Sequence, residues 1–273
     1  MDILSNMYKN NDLYRLAKSR AIKTRNKYGL RSGPVNVPVF DFLEAEGCFV
    51  ITLDLGRTSA TGMYIKKDAN KLVLVHKKRV LGQQNFTAIH ELSHVLFDET
   101  ELFDVCLPEH YYKRDKKEIL ADMFAAHFLM PEEDIINECE EFKFIGKREI
   151  ILLSIKYRVT FIAMALRLYV LGKIPNEDFE KYKKQSSRGK LGLKKFCLEE
   201  GLDPSAFSTP DDSYISESYF RLLINVYHKA NISRSVLIDY YIKPLEEELQ
   251  LNLDYLVKFA DDSYPEEVGW DDL

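Results

Sequence analysis

The sequence predicts an α+β fold, with a small antiparallel sheet, a helix bearing two histidines, and then an α-helical C-terminal region. Three observations carry this. Stretches rich in β-branched and aromatic residues at Cys48–Leu53, Thr61–Ile65 and Lys71–His76 lie close together, with turn residues Asp68-Ala69-Asn70 before the last. The period then changes, and Phe86–Phe97 places its apolar residues at helical spacing. Beyond Pro131 the patterning is helical.

The helical run contains His90-Glu91-Leu92-Ser93-His94, an H-E-x-x-H pattern. Residues four apart stack on one helix face, so His90 and His94 can offer two nitrogens to one ion. Glu91 lies about 100° round the helix, beside the ion's open position. Two neutral ligands, a polarised water and a nearby base are what a zinc hydrolase needs. The simpler reading is a solvated helix with two histidines. Against it, Ala88, Ile89, Leu92, Val95, Leu96 and Phe97 are apolar, and polar groups buried among them without partners would be costly. Asn85 is expected to cap this helix.

Composition narrows the class. The 273 residues are 46% hydrophobic and 30% charged with net charge −5, which fits a globular protein and argues against nucleic-acid binding by the whole molecule. Cys48, Cys106, Cys139 and Cys197 form no C-x-x-C pair, so neither a disulfide framework nor a cysteine zinc site is expected. Residues 1–6 lack a signal-peptide pattern. The most apolar run, Val159 to Leu171, is broken by Arg167 and too short to span a bilayer. A cytoplasmic location without membrane contact is expected.

In chain order, Asp12–Tyr28 reads as a helix with a basic face, taken as solvated rather than as a nucleic-acid surface. Pro38–Glu46 reads as a short helix closed by Gly47. The acidic stretch from Asp98 to Pro108 reads as a loop, and Lys117–Met130 as a helix ended by Pro131. A catalytic zinc needs a third protein ligand. The extended motif H-E-x-x-H-x-x-G-x-x-H is excluded, because Phe97 and Thr100 stand at its last glycine and histidine. A glutamate from a later helix is the other solution. Glu118 is the best placed, with Asp122 one turn on to accept the second N–H of a ligating histidine. Asp98, Glu99, Glu101, Glu109 and His110 compete with it. His127 falls on the opposite face and is read as a packing or surface residue. An oxyanion donor is expected among His110, Tyr111, Tyr112 and Tyr64, with His110 nominated for its place in sequence.

These paired segments resemble the ImmA/IrrE metallopeptidases, a gluzincin-like, zincin-fold family. The stretch from Phe86 to His94 is similar to the family's F-T-x-A-H-E-L-G-H, with Ser93 for glycine. Glu118 to Pro131 is similar to its E-x-x-A-N-x-F-A-x-x-L-L-M-P, with Asp122 for asparagine. The resemblance implies that His90, His94 and Glu118 ligate Zn²⁺ and that Glu91 is the catalytic base. It also implies a protein substrate, a helix-turn-helix (Xre-type) DNA-binding repressor, cleaved in mobile-element induction or a stress response.

The expected organisation is a peptidase domain over residues 1–183, whose helical tail begins near 146, and a linker at 184–192. A small α-helical domain at 193–260 and an acidic tail at 261–273 follow. Ile150–Tyr157 and Phe161–Leu171, with Thr160 as N-cap, form a helix-turn-helix-like pair. The second helix is too apolar to read DNA and is expected to be buried. Further helices are expected at Phe196–Gly201, Ser216–Lys229, Ser233–Ile242 and Pro244–Phe259. The rival function is a metal-stabilised regulator that sequesters a repressor without cutting it.

Overall fold

The computed structural model describes residues 12–56, 60–67, 69–98, 103–106, 116–229 and 233–236. Helices α1 (Asp12–Lys27) and α2 (Phe40–Ala45) precede strands β1 (Cys48–Leu53), β2 (Gly62–Lys67) and β3 (Asn70–His76). The histidine helix is α3 (Leu81–Phe97), followed by β4 (Phe103–Cys106) and α4 (Lys116–Leu129). Then come α5 (Glu132–Glu140), α6 (Lys147–Tyr157), α7 (Phe161–Val170), α8 (Asn176–Ser187) and α9 (Leu193–Glu199). A 3₁₀ turn at Ser205–Phe207, α10 (Glu217–Lys229) and one helical turn at Arg234–Val236 complete the described chain. The fold is α+β, as the sequence predicts.

The sheet differs from expectation in two respects. Its order is β1-β3-β2-β4, and β1 runs parallel to β3, with Cys48 opposite Lys71 and Leu53 opposite His76. It is therefore mixed rather than wholly antiparallel. Alternating hydrophobicity decides which face of a strand is buried, but not its neighbour or direction. Of the three strands expected, only the β2–β3 pair follows the antiparallel expectation. The second difference is β4, which pairs antiparallel with β2 inside the stretch read as a loop. Its four residues carry too little alternation to stand out, and it forms on backbone groups that β2 presents.

The outer edge of β1 is covered from far along the sequence. Thr52 N donates to Tyr214 O at 2.8 Å, and Ser216 N donates to Val50 O at 2.8 Å. Val50 N in turn donates to the Ser216 hydroxyl at 3.0 Å. Tyr214 also donates its phenol to Glu44 on α2. The segment expected to form a separate helical unit thus sends residues 214–216 along the sheet.

Helix α3 packs on β2 and β3, α4 lies beside α3, and α1 lies along α4. The core between them includes Val50, Tyr64, Val73, Ile89, Leu92, Phe124 and Phe128. Helix α3 begins at Leu81, preceded by Val80 with no side-chain cap, so Asn85 is not its cap. Instead the Asn85 amide donates to Arg158 O at 2.9 Å, holding the α6–α7 corner where Arg158 has φ 52°. One turn earlier, Gly82 meets the same corner, and a Cβ there would lie 2.5 Å from Val159 C and 2.6 Å from Thr160 N. Thr160 caps α7, accepting from Ala163 N at 3.2 Å. Phe161, Met164, Ala165 and Leu168 of α7 are buried, as their apolar run predicts.

Helix α8 continues to Ser187, through the first part of the expected linker. The helices expected beyond residue 236 and the acidic tail at 261–273 lie outside the described residues. Among the described residues, no helix is long and apolar enough to cross a membrane.

Candidate metal centre

Two helices build the site. On α3, His90 and His94 are one turn apart and buried, and their Nε2 atoms lie 3.1 Å from each other. The first turn of α4 brings Glu118 against both, with Oε2 3.3 Å from His90 Nε2 and Oε1 3.1 Å from His94 Nε2. These three residues can offer one ligand atom each to a single ion. A tetrahedral ion with metal–ligand distances near 2.0–2.1 Å has ligand–ligand edges of about 3.3–3.4 Å. The observed spacings are close to that.

The remaining ring nitrogens are both engaged. His90 Nδ1 lies 2.8 Å from Asp122 Oδ1, and His94 Nδ1 lies 2.8 Å from Asp98 Oδ2. A carboxylate only accepts, so in the neutral rings each Nδ1 carries the proton and each Nε2 presents a lone pair. Two such lone pairs and the Glu118 carboxylate then converge in a buried space, which a cation would satisfy. Protons compete for the same atoms. Burial pulls His94 down and Glu118 up, yet the hydrogen bonds between them reverse both, so His94 lies above and Glu118 well below its ordinary value. A two-imidazole, one-carboxylate set with committed outer nitrogens fits a tetrahedral divalent ion.

Glu91 is buried on α3, adjacent in sequence to His90. Strand β2 approaches this part of α3 through Gly62. A Cβ at that position would lie 3.0 Å from Leu74 O and 3.2 Å from Glu91 Oε1, and would overlap the methyl of Thr87. Tyr64, two residues on, is buried, which pushes its phenol up to about 12, with Cys48, Asp98 and Glu91 adding to the effect. It therefore keeps its proton near neutral pH.

The structure thus brings together His90, His94, Glu118 and Asp122, with Glu91 on the same helix as the histidines. Asp98 does not join the three converging donors; it stands behind His94 as Asp122 stands behind His90. Sequence reasoning treated it only as a rival ligand, although its position one turn after His94 was a usable signal. His127 is turned away: it is buried, packs edge-on against Tyr14 at 4.5 Å, and lies 3.0 Å from Arg167 Nη2. The nominated oxyanion donor His110, with Tyr111, Tyr112, Glu99, Glu101 and Glu109, lies outside the described residues.

No curated protein matches the chain. Residues 43–169 match the family model described as the IrrE N-terminal-like domain, Peptidase_M78. The match takes in the whole α3–α4 pair and the sheet beneath it, and so contains every donor described above. By this match, residues 43–169 form an IrrE N-terminal-like domain.

Proposed function

We propose that the chain is a zinc-dependent endopeptidase in which His90, His94 and Glu118 hold Zn²⁺ and Glu91 is the general base. The observation that carries this reading is the convergence of three lone-pair donors on a buried point, with a glutamate next to the first histidine. When bound, zinc polarises a carbonyl and lowers the pKa of a water toward about 7. Glu91 accepts a proton from the attacking water and returns it to the leaving amine nitrogen. Asp122 and Asp98 hold the two imidazoles in the tautomer whose Nε2 is unprotonated. Residues 214–216 occupy the outer edge of β1, so we assign an extended substrate segment to the outer edge of β4.

The substrate we assign is a protein, specifically a helix-turn-helix (Xre-type) repressor, cut in a mobile-element or stress response. That assignment rests on the family resemblance. The free cysteines Cys48, Cys139 and Cys197 are buried, which supports a reducing, cytoplasmic setting. The test is Glu91→Gln, which keeps size and polarity but removes the base. Zinc content and fold should persist while cleavage of the repressor is lost. If the variant keeps full biological activity, cutting is not the function and sequestration without cutting takes its place.

A further inference from the structure

Helix α1 carries a basic face that the sequence reads as solvated, and for most of its length the structure agrees. Arg15, Lys23 and Lys27 are exposed, and two of them pair with acids of their own, Arg15 with Asp12 and Lys27 with Glu46. Arg20 differs. Ala17 and Ala21, which flank it on the helix, are 0% exposed, so α1 lies close against its neighbours here and Arg20 is half-buried. Its guanidinium sits over the ring of Phe97, with Cζ 4.2 Å from the centroid, a favourable cation–π arrangement.

Phe97 is the last residue of α3, and its ring is held edge-on by Phe124 of α4 at 5.6 Å. A cation fixed over this ring stands beside the next residue, Asp98. Burial pulls the Arg20 guanidinium below its ordinary value, and the Asp98 charge opposes that pull. Among the described residues no hydrogen bond joins the two side chains, so Arg20 acts on Asp98 through its field.

Asp98 is the carboxylate behind His94, with Oδ2 2.8 Å from Nδ1 and a side chain only 11% exposed. With Glu91, Glu118 and Asp122 it makes four carboxylates on or around two imidazoles. A dication in the centre would offset only two of them. A carboxylate bonded to the outer N–H of an imidazole raises the basicity of the other nitrogen, so a cation placed against that carboxylate lowers it.

We propose that Arg20 is a positioning residue of the metal centre, acting through Asp98: it offsets the carboxylate behind His94 and makes that imidazole a weaker donor. The inference rests on the zinc reading above. The centre then holds zinc less tightly than its carboxylates alone would, and the ion keeps more of its polarising power. Arg20 thereby opposes the effect of Asp98 without touching a ligand.

Zinc affinity of the full chain, measured by competition with a chromophoric chelator, tests this. Arg20→Met keeps apolar cover on Phe97 and removes the charge, so it should bind zinc roughly threefold tighter or more. Arg20→Gln, polar and uncharged, should match it, which separates charge from packing. Arg20→Lys restores the charge and should return to within about twofold of wild type. In an Asp98→Asn background Arg20→Met should shift affinity by less than about twofold, because the carboxylate it offsets is gone. A residue that only packs would lower the melting temperature and leave zinc affinity unchanged or weaker in both backgrounds. Unchanged or weaker zinc binding in both neutral variants, equal tightening in Arg20→Lys, or equal tightening without Asp98 would each overturn the proposal. A wild-type chain that holds no zinc would overturn the zinc reading and this inference with it; a zinc-binding chain indifferent to Arg20 would overturn this inference alone. None of these readouts involves peptidase activity.

Discussion

Replacing Asp98 with alanine should weaken zinc binding by roughly 10–100-fold while leaving the chain folded. The magnitude follows from one contact. Asp98 Oδ2 lies 2.8 Å from His94 Nδ1, and its side chain is only 11% exposed. A hydrogen bond to a charged group is worth about 1.5–3 kcal/mol, and about 1.4 kcal/mol corresponds to a tenfold change in affinity. Alanine removes both charge and acceptor, so the imidazole loses the partner that fixes its tautomer. Asparagine keeps an acceptor and loses only the charge, so Asp98→Asn should sit near the tenfold end. The fold should survive, because the helix end is closed by the backbone, with Asp98 N donating to His94 O at 3.0 Å. Competition with a chromophoric zinc chelator gives the affinity, and circular-dichroism melting controls for folding. A folded Asp98→Ala protein that holds zinc within twofold of wild type would refute the reasoning.

Gly82→Ala should destabilise the chain by about 1–3 kcal/mol, although alanine is the better helix former by about 1 kcal/mol. The added Cβ meets backbone atoms of Val159 and Thr160 at 2.5 and 2.6 Å, which cannot swing aside; a raised melting temperature would contradict this. Ser216→Ala leaves the buried Val50 N–H without its acceptor. A loss of about 1–3 kcal/mol, with faster amide exchange along β1, is the expected result. Glu132 supplies a pH test. Burial raises its carboxyl, but hydrogen bonds from Tyr14 and Lys18 overcome this, so the folded value lies below the ordinary 4.5. A depressed folded pKa stabilises above the ordinary value, and that contribution is lost as pH falls through the folded one. Glu132→Gln should therefore flatten the loss of stability below about pH 4.5 in urea midpoints.

Much of the metal centre could be read from spacing because helices impose it. His90 and His94 are forced onto one face by 3.6 residues per turn, and so are Glu118 and Asp122. The apolar run of α7 and the Thr160 cap were readable for the same local reason. Asp98 was read as a rival ligand rather than as the partner of His94, although the same rule places it one turn after His94. Its acidic neighbours made it look like part of a solvated loop. Asn85 misled in the opposite way: its type favours a helix start, but its partner is Arg158, on a corner 73 residues away.

The sequence by itself determined the chemistry of the site, through two helices whose periodicity fixes which side chains share a face. Tertiary structure alone decided what lies around it. The parallel pairing of β1 with β3, the addition of β4, the cover of residues 214–216 and the contact of Arg167 with His127 all join segments far apart in the chain. Backbone N–H and C=O groups are the same in every residue, so strand neighbours leave little trace in composition. A buried arginine inside an apolar helix reads as an interruption until the fold shows what surrounds it. The H-E-x-x-H motif and the carboxylate one turn after it needed only a helix; bringing Glu118 and Asp122 against the histidines needed the whole chain.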